Sequence, residues 1–167
     1  QSRYLVIKIH GTPEGVAAVG ETILTGVRVN VTLLVSRERH PAAGEAEMRG
    51  IERRVAAGLD AGVASVASLF ISRWDVAIKD QVPETLRNRL GIAIATRTNQ
   101  AYRDQLTAER WQKMADAGDE PQRLRWASTG TKDPEAADTL ELEALAAPDT
   151  INTIPGRTLL AFAGHGE

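Results

Sequence analysis

The sequence contains no cysteine, which excludes disulfide bonds, thiolate metal ligands and a cysteine nucleophile. Aromatic residues make up only 4%, and no apolar stretch approaches the roughly 20 residues that cross a bilayer. Neither charge sign dominates, because 20 Lys and Arg against 22 Asp and Glu leave a formal net charge of −2. We therefore expect no nucleic-acid partner and no membrane partner. Residues 1–4 lack the charged and apolar regions of a secretory signal, so a cytoplasmic location is the default expectation.

Lysine is also scarce, with four residues against sixteen arginines, so a lysine in an unusual setting is conspicuous. The three histidines, His10, His40 and His165, do not stand at metal-ligand spacing. We expect no metal site and place the histidines on the surface or in loops. The charged run that includes Glu45 and Glu47 is interpreted as a solvated helix face.

The 167 residues are 43% apolar, which is enough for one compact domain. Residues 4–9 form a short apolar, β-branched run, typical of a strand buried on both faces. Thr12 can cap a following helix that has Pro13 at its first position, and Gly26 supplies a stop. The start of the chain therefore predicts a strand followed by a helix.

This strand–helix unit recurs along the chain. Further strands are predicted at 27–35, 64–71, 123–128 and 149–153, and they alternate with helical segments at 44–59, after Trp74, from 133–134 and from Pro155. Such alternation indicates a parallel sheet covered by helices. A doubly wound open sheet needs about 150 residues and a closed eight-stranded barrel about 250, so length alone favours the open sheet.

Lys8 lies between Ile7 and Ile9 near the end of the first predicted strand. An ammonium group among apolar neighbours is costly, so it either pairs with a carboxylate or loses its proton. A neutral lysine can attack a carbonyl, which makes Lys8 a candidate Schiff-base nucleophile. The alternative is a strand lysine that snorkels to solvent or forms a salt bridge.

Polar residues also follow or interrupt the later strands. Asn30 and Thr32 share one face of the second strand, where they could bind a substrate or a catalytic water, or be satisfied core groups. Ser68 and Arg73 flank the end of the third strand, and residues 128–132 follow the fourth just before a predicted helix start. Hydroxyls, amides and a cation at a helix N-terminus suit a phosphate, although a capping loop with a solvated lysine is an alternative explanation. The spacing does not match a nucleotide-binding P-loop.

Five segments in this order closely resemble the transaldolase family, class I aldolase-type enzymes of the pentose phosphate pathway: VIKIHGTPEG, VNVTLLVSRER, SVASLFISRWD, WASTGTKDP and PDTINTIPGRTLLAFAGHGE. The likeness spans nearly the whole chain. Transaldolases are parallel (β/α)8 TIM barrels. The resemblance therefore implies that residues 1–167 form a single partial barrel domain, with the fourth to eighth strands, and it replaces the preference for an open sheet.

The resemblance also implies a reaction. Lys8 matches the lysine that forms the family's Schiff base, and Asn30 and Thr32 match an asparagine and a threonine on the next strand, the threonine helping to hold a catalytic water. A dihydroxyacetone unit would pass between a ketose phosphate and an aldose phosphate. No external cofactor is expected, because the lysine itself supplies the electron sink.

Four further residues are matched to binding of the sugar phosphate. Ser68 and Arg73 correspond to the serine and the arginine that bind the substrate and its phosphate. Ser128 and Lys132 stand where other members carry a serine and a phosphate-binding arginine.

The family's proton-transfer carboxylates, an aspartate on the first barrel strand and a glutamate on the third, have no counterpart in these residues. We therefore expect the isolated chain to be essentially inactive. Two alternatives stay open: a Schiff-base aldolase without transfer, and an inactive structural fragment of a barrel enzyme. A homodimer and a fused phosphoglucose isomerase domain outside this chain are both compatible with the resemblance.

Overall fold

The computed structural model describes residues 5–166, so residues 1–4, including Tyr4 of the first predicted strand, and Glu167 lie outside the described residues. The strands are β1 (Ile7–His10), β2 (Val29–Leu34), β3 (Ser65–Phe70), β4 (Arg123–Ala127) and β5 (Thr150–Asn152). The helices are α1 (Pro13–Leu24), α2 (Arg39–Ala56), α3 (Ser72–Ile78), α4 (Leu90–Thr107), α5 (Glu109–Asp116), α6 (Leu140–Ala144) and α7 (Gly156–His165), with a 3-10 turn at Glu84–Leu86. None of the helices in this range is both long and apolar enough to span a membrane.

The five strands form one parallel sheet in the order β1-β2-β3-β4-β5. A doubly wound sheet reverses its direction of growth at a switch point, so its strand order is not sequential. A (β/α) barrel adds each new strand on the same side of the last one. The α/β architecture therefore agrees with part of a TIM barrel, as the resemblance implied, and the open sheet favoured by length alone is wrong.

One face of the sheet packs against the helices. Val29 and Val31 of β2 and Leu124 of β4 are fully buried and belong to the same apolar core as side chains of α1 and α2. Burial of each such side chain contributes roughly 1.5–3 kcal/mol. Because side chains alternate across a strand, Asn30 and Arg125 point to the opposite face. This second face carries the polar residues.

Helix α1 begins and ends as the sequence predicts. The Thr12 Oγ1 accepts a hydrogen bond of 3.1 Å from the backbone N–H of Gly15, and Pro13 occupies the first turn. Gly26 follows the helix with a φ of 80°, a left-handed conformation that glycine adopts without strain. The predicted cap and stop signals are thus both confirmed.

The prediction of a first strand buried on both faces is wrong. Ile7 is 42% exposed, and Lys8 and His10 are exposed as well. The reason is the position of β1 at the edge of the sheet, where it pairs with β2 and with no other strand among residues 5–166. An apolar sequence indicates that a strand can be buried, but neighbouring strands and helices have to supply the cover.

Two predicted helix starts are also wrong. Helix α2 begins at Arg39 rather than at 44, because Pro41 is tolerated in a first turn whose N–H groups have no helical partner. No helix begins at 133–134, where the chain forms turns up to α6 at Leu140. The loop after β4 is therefore longer than the sequence indicated.

Helix α2 carries buried polar groups that we expected to be solvated. The helix packs against α1, α4, α5 and the sheet, and nine of its eighteen residues are buried. His40 is 1% exposed against the ring of Tyr102, and burial lowers the pKa of its imidazole to about 4. Glu47 is also 1% exposed, and burial together with the charge of Asp119 raises its pKa to about 8. The surface assignment of His40 and the solvated-face assignment of Glu47 are both wrong.

Candidate active site

Lys8 lies directly beside Asn30 in the sheet. The strand register pairs Lys8 with Asn30 and His10 with Thr32. Laterally paired residues of neighbouring strands point to the same face of a sheet, so Lys8 shares the polar face with Asn30. The Lys8 side chain is exposed, because β1 is an edge strand in the described residues. The expectation of an enclosed, apolar setting for Lys8 is therefore wrong, whereas its position beside Asn30 is what the candidate site needs.

Asn30, Ser68 and Arg125 form a hydrogen-bonded row across β2, β3 and β4. Arg125 lies opposite Ser68 in the register, and its Nε donates to the Ser68 Oγ at 3.0 Å. The Ser68 Oγ is in turn 2.7 Å from the amide of Asn30. Ser68 is fully buried and Asn30 is 7% exposed, whereas Arg125 is partly exposed. The guanidinium therefore covers the two polar side chains that the sequence singled out.

Thr32 continues the polar face of β2 toward its carboxyl end. The register between β2 and β3 becomes irregular after Val31, and Leu33 adopts a φ of 57°. A β-branched or bulky residue rarely takes a positive φ, so the backbone is strained at this point. The carbonyl of Thr32 accepts from the N–H of Gly11 at 2.8 Å, and its hydroxyl makes no hydrogen bond to any described residue. Thr32 is thus a residue of only 4% exposure whose hydroxyl has capacity to bind a ligand or a water.

Arg73 and Ser128 lie just beyond the carboxyl ends of β3 and β4. Arg73 is the second residue of α3, is exposed, and places its guanidinium carbon 5.1 Å from the ring centre of Phe70. The Ser128 Oγ is 2.9 Å from the Ser72 Oγ, and its φ of 59° is left-handed. The two residues therefore belong to the same rim of the sheet, the end at which barrel enzymes bind their ligands.

Lys132 points into a separate cleft. This cleft, of about 290 Å³, lies between α3, the 3-10 turn and the loop after β4, and Lys132 lines it together with Asp75 and Glu141. Burial and the charge of Asp75 raise the pKa of Glu141 to about 7, while Lys132 acts against that rise. The predicted anion pocket at a helix N-terminus is wrong, because residues 133–139 do not form a helix.

Asp75 has a structural role that the sequence did not reveal. Its carboxylate accepts from the N–H groups of Leu90 and Gly91 at 3.0 and 3.1 Å and so caps the start of α4. A Cβ at position 91 would lie 2.5 Å from this carboxylate, so only glycine fits there. Burial raises the pKa of Asp75, and the two donated hydrogen bonds oppose that rise.

Arg125 is the residue of the polar face that the sequence analysis missed. A signal was present, because Arg123 and Arg125 alternate with the buried Leu124 and Trp126 along β4. That alternation places both arginines on the face opposite the helices. Within residues 5–166 no cluster of three or more His, Asp or Glu side chains could hold a metal ion. The candidate site thus consists of an amine, an amide, hydroxyls and guanidinium groups.

Comparison with known proteins identifies the family of the chain. The family model described as Transaldolase/Fructose-6-phosphate aldolase matches residues 1–167. A protein of Parafrankia sp. (strain EAN1pec) named "Transaldolase" is 44% identical over 170 residues, which cover 97% of this chain and 46% of the relative. "Transaldolase 1" of Streptomyces avermitilis is 43% identical, with 98% and 45% covered, and "Transaldolase" of Thermobifida fusca is 42% identical, with 97% and 46% covered. The chain spans about half the length of these curated relatives. A family match over every residue, together with these identities, shows that the chain belongs to the transaldolase/fructose-6-phosphate aldolase family.

Proposed function

We propose that the protein containing these residues is a transaldolase that moves a dihydroxyacetone unit from a ketose phosphate to an aldose phosphate through a Schiff base on Lys8. The donors would be sedoheptulose 7-phosphate and fructose 6-phosphate, and the acceptors glyceraldehyde 3-phosphate and erythrose 4-phosphate. The observation that carries this proposal is the lateral pairing of Lys8 with Asn30 on a polar sheet face, in a chain of this family. An amine beside an amide and buried hydroxyls is suited to carbonyl chemistry.

The proposed steps begin with attack of the Lys8 amine on the C2 ketone of the donor. Loss of water gives an iminium ion. A carboxylate from the barrel units outside this chain would then take the C4 hydroxyl proton, so that the C3–C4 bond breaks, and would return the proton to the acceptor oxygen in the second half of the reaction. The electron pair of that bond flows to the iminium nitrogen, so an enamine stays on Lys8 while the aldose phosphate departs. The enamine carbon then attacks the aldehyde of a second aldose phosphate, and water releases the new ketose from the lysine.

The polar groups around Lys8 would assist distinct parts of this sequence. The hydroxyl of Thr32 would hold the water that is lost when the iminium forms and that later hydrolyses it, and Asn30 would bind an oxygen of the bound sugar. Arg73, with Ser128 beside it at the rim, would bind the phosphate, whose remote binding energy orients the reacting carbons. Lys132, which lines the neighbouring cleft, would contribute a further positive charge to binding of the phosphate.

We also propose that residues 1–167 are the fourth to eighth strand–helix units of one barrel domain. Support comes from the two ends of the sheet, since β1 and β5 each pair with one strand only among the described residues. Apolar side chains are exposed at both ends, with Leu5 at 63% and Leu160 at 76%. Unpaired edges with exposed apolar groups are an association hazard that closure of a barrel removes. Three further units would also supply the proton-transfer carboxylates.

Borohydride trapping tests the proposed Schiff base. The intact protein is incubated with fructose 6-phosphate and borohydride, and the modified peptide is identified by mass spectrometry. We expect one reduced adduct, on Lys8, and none in Lys8→Met. Lys113→Met is the matched control, because this exposed lysine of α5 forms an ion pair with Glu109 on the same helix and its substitution should leave the adduct unchanged. An adduct on another lysine, or no adduct, would reject the assignment.

An aldolase without transfer is the second candidate, because the matching family description names both activities. Both enzymes would form the adduct on Lys8. A coupled assay of fructose 6-phosphate cleavage separates them, since a transferase needs an aldose phosphate acceptor for turnover and an aldolase does not. The isolated 167 residues should be inactive in either assay, and turnover by them would contradict the need for further carboxylates.

A further inference from the structure

Arg125 presents a positive charge on the polar face at the level of Asn30 and Ser68, and the proposed steps above assign it no role. Its side chain is partly exposed, whereas Ser68 beneath it is fully buried. Any ligand that enters from the polar face at this level would therefore meet the guanidinium before it meets the serine hydroxyl.

The neighbouring amide fixes how the guanidinium is held. Guanidinium groups donate and never accept, so the Asn30 amide has to turn its oxygen toward Arg125. In that orientation the Asn30 Oδ1 accepts from the Arg125 Nη2 at 3.1 Å, and its Nδ2 donates to the Ser68 Oγ at 2.7 Å. The Ser68 Oγ also accepts from the Arg125 Nε at 3.0 Å. The Ser68 Oγ and the Asn30 Oδ1 thus accept hydrogen bonds from one edge of the planar guanidinium.

The remaining donors of Arg125 are free for a ligand. Of its five N–H groups, one on Nε and one on Nη2 are used by Ser68 and Asn30, and no other described residue accepts from Arg125. A side chain held by two hydrogen bonds has already lost its rotamer freedom, so its binding to a ligand costs less entropy. The arrangement therefore resembles a preorganised donor group rather than a surface arginine.

We propose that Arg125 is a further substrate-binding residue, which donates hydrogen bonds to hydroxyl oxygens of the sugar chain bound at Lys8; this inference rests on the proposed function. The phosphate is not its target, because Arg125 lies within β4, two residues before the strand ends, whereas Arg73 and Ser128 lie beyond the strand ends. Ser68 acts as a positioning residue for the guanidinium, in place of the direct substrate contact that the resemblance implied, and Asn30 positions the guanidinium in addition to its proposed contact with the sugar. The residue would thus contribute to selection for polyhydroxylated substrates.

The test measures binding of fructose 6-phosphate to the intact protein by calorimetry, in a Lys8→Met background that cannot form the adduct. We expect Arg125→Met to raise the Kd roughly 10- to 100-fold, as loss of hydrogen bonds to a charged group does. The Kd of Arg125→Lys should lie between those of the parent protein and Arg125→Met, because one ammonium group cannot reproduce the planar arrangement of guanidinium donors. Arg103→Met, which changes an exposed arginine of α4 outside the sheet, is the matched control and should leave the Kd unchanged. An unchanged Kd in Arg125→Met would overturn the proposal.

Two further measurements make the assignment specific. Ser68→Ala combined with Arg125→Met should bind no more weakly than Arg125→Met alone, since the serine acts through the guanidinium, and additive losses would overturn the positioning role.

Inorganic phosphate should compete with fructose 6-phosphate equally well in the wild type and in Arg125→Met. Weaker competition in the variant would show a phosphate contact and overturn the hydroxyl assignment. Borohydride trapping with Arg125 intact tests the Schiff base on Lys8 separately. Loss of the Schiff-base proposal would appear in the trapping experiment, and loss of the Arg125 proposal would appear in the Kd.

Discussion

Glu47 provides a quantitative test of the packing in this structure. Its carboxyl group is 1% exposed between α2 and β3, and the Ser65 Oγ donates to its Oε1 at 3.3 Å. Burial and the nearby Asp119 raise its pKa to about 8 from an ordinary value of 4.5. Glutamine has the same shape, accepts the same hydrogen bond and carries no charge. We therefore expect Glu47→Gln to remove a pH-dependent loss of stability.

The direction and the size of this pH effect on stability follow from proton linkage. Between pH 4.5 and about 8 the folded protein holds a proton on Glu47 that the unfolded chain has released, so stability falls as pH rises. The slope is roughly 1.4 kcal/mol per pH unit, which makes the cost on the order of 3 kcal/mol at pH 7. Below pH 4.5 both states are protonated and the cost disappears. Burial also raises the pKa of Asp119 to about 7, so part of the pH dependence should persist in the variant.

The assay is urea unfolding of the intact protein at pH 5 and pH 8, followed by tryptophan fluorescence. Glu47→Gln should raise the unfolding midpoint much more at pH 8 than at pH 5. Glu135→Gln, which neutralises an exposed carboxylate, is the control and should change neither midpoint appreciably. An equal effect of Glu47→Gln at the two pH values would refute the argument, because it would show that Glu47 is ionised in the folded protein throughout this range.

Three other substitutions test separate features of the fold. Gly50→Ala should destabilise by roughly 1–3 kcal/mol, because the new Cβ would lie 2.8 Å from the carbonyl oxygen of Gly20, whereas Gly156→Ala meets nothing and should be tolerated; thermal melting compares the two. Burial lowers the pKa of His40 to about 4, so the unfolded chain binds its proton first as pH falls below 6.5, and His40→Phe should move acid unfolding to lower pH in a circular dichroism titration. Asp75→Ala removes the cap of α4 and should cost roughly 1–2 kcal/mol in the same melting experiment, and an unchanged melting temperature would show that the cap is dispensable.

Much of the architecture could be predicted from local sequence signals. Five strands and the first helix follow from apolar runs, a Thr-Pro start and a glycine stop, because these features act within a few residues of the chain. The choice between an open sheet and a barrel could not be made from length. It required either a family resemblance or the observed strand order, since the order of strands is a long-range property.

Burial of polar groups was the least predictable property. Glu47 and His40 carry no local sequence signal of burial, and the packing of α2 against the sheet and three other helices removes them from water. Arg125 was missed for a related reason, because an arginine in a strand is usually exposed. Its significance comes from Ser68, which lies beside it on the neighbouring strand and 57 residues away in the sequence.

The contrast between an exposed Lys8 and a buried Ser68 has one geometric cause. Each of β2, β3 and β4 has a neighbour on both sides, so a side chain on the polar face is covered from both directions, as Ser68 is by Asn30 and Arg125. Strand β1 has a neighbour on one side only among the described residues, and the cover over Lys8 is missing on the other side. Exposure of Lys8 is therefore a property of the sheet edge and not of the residue. The hydrogen-bonded row from Asn30 to Arg125 is complete without that neighbour, and so the arrangement of the polar face beside Lys8 does not depend on a further strand.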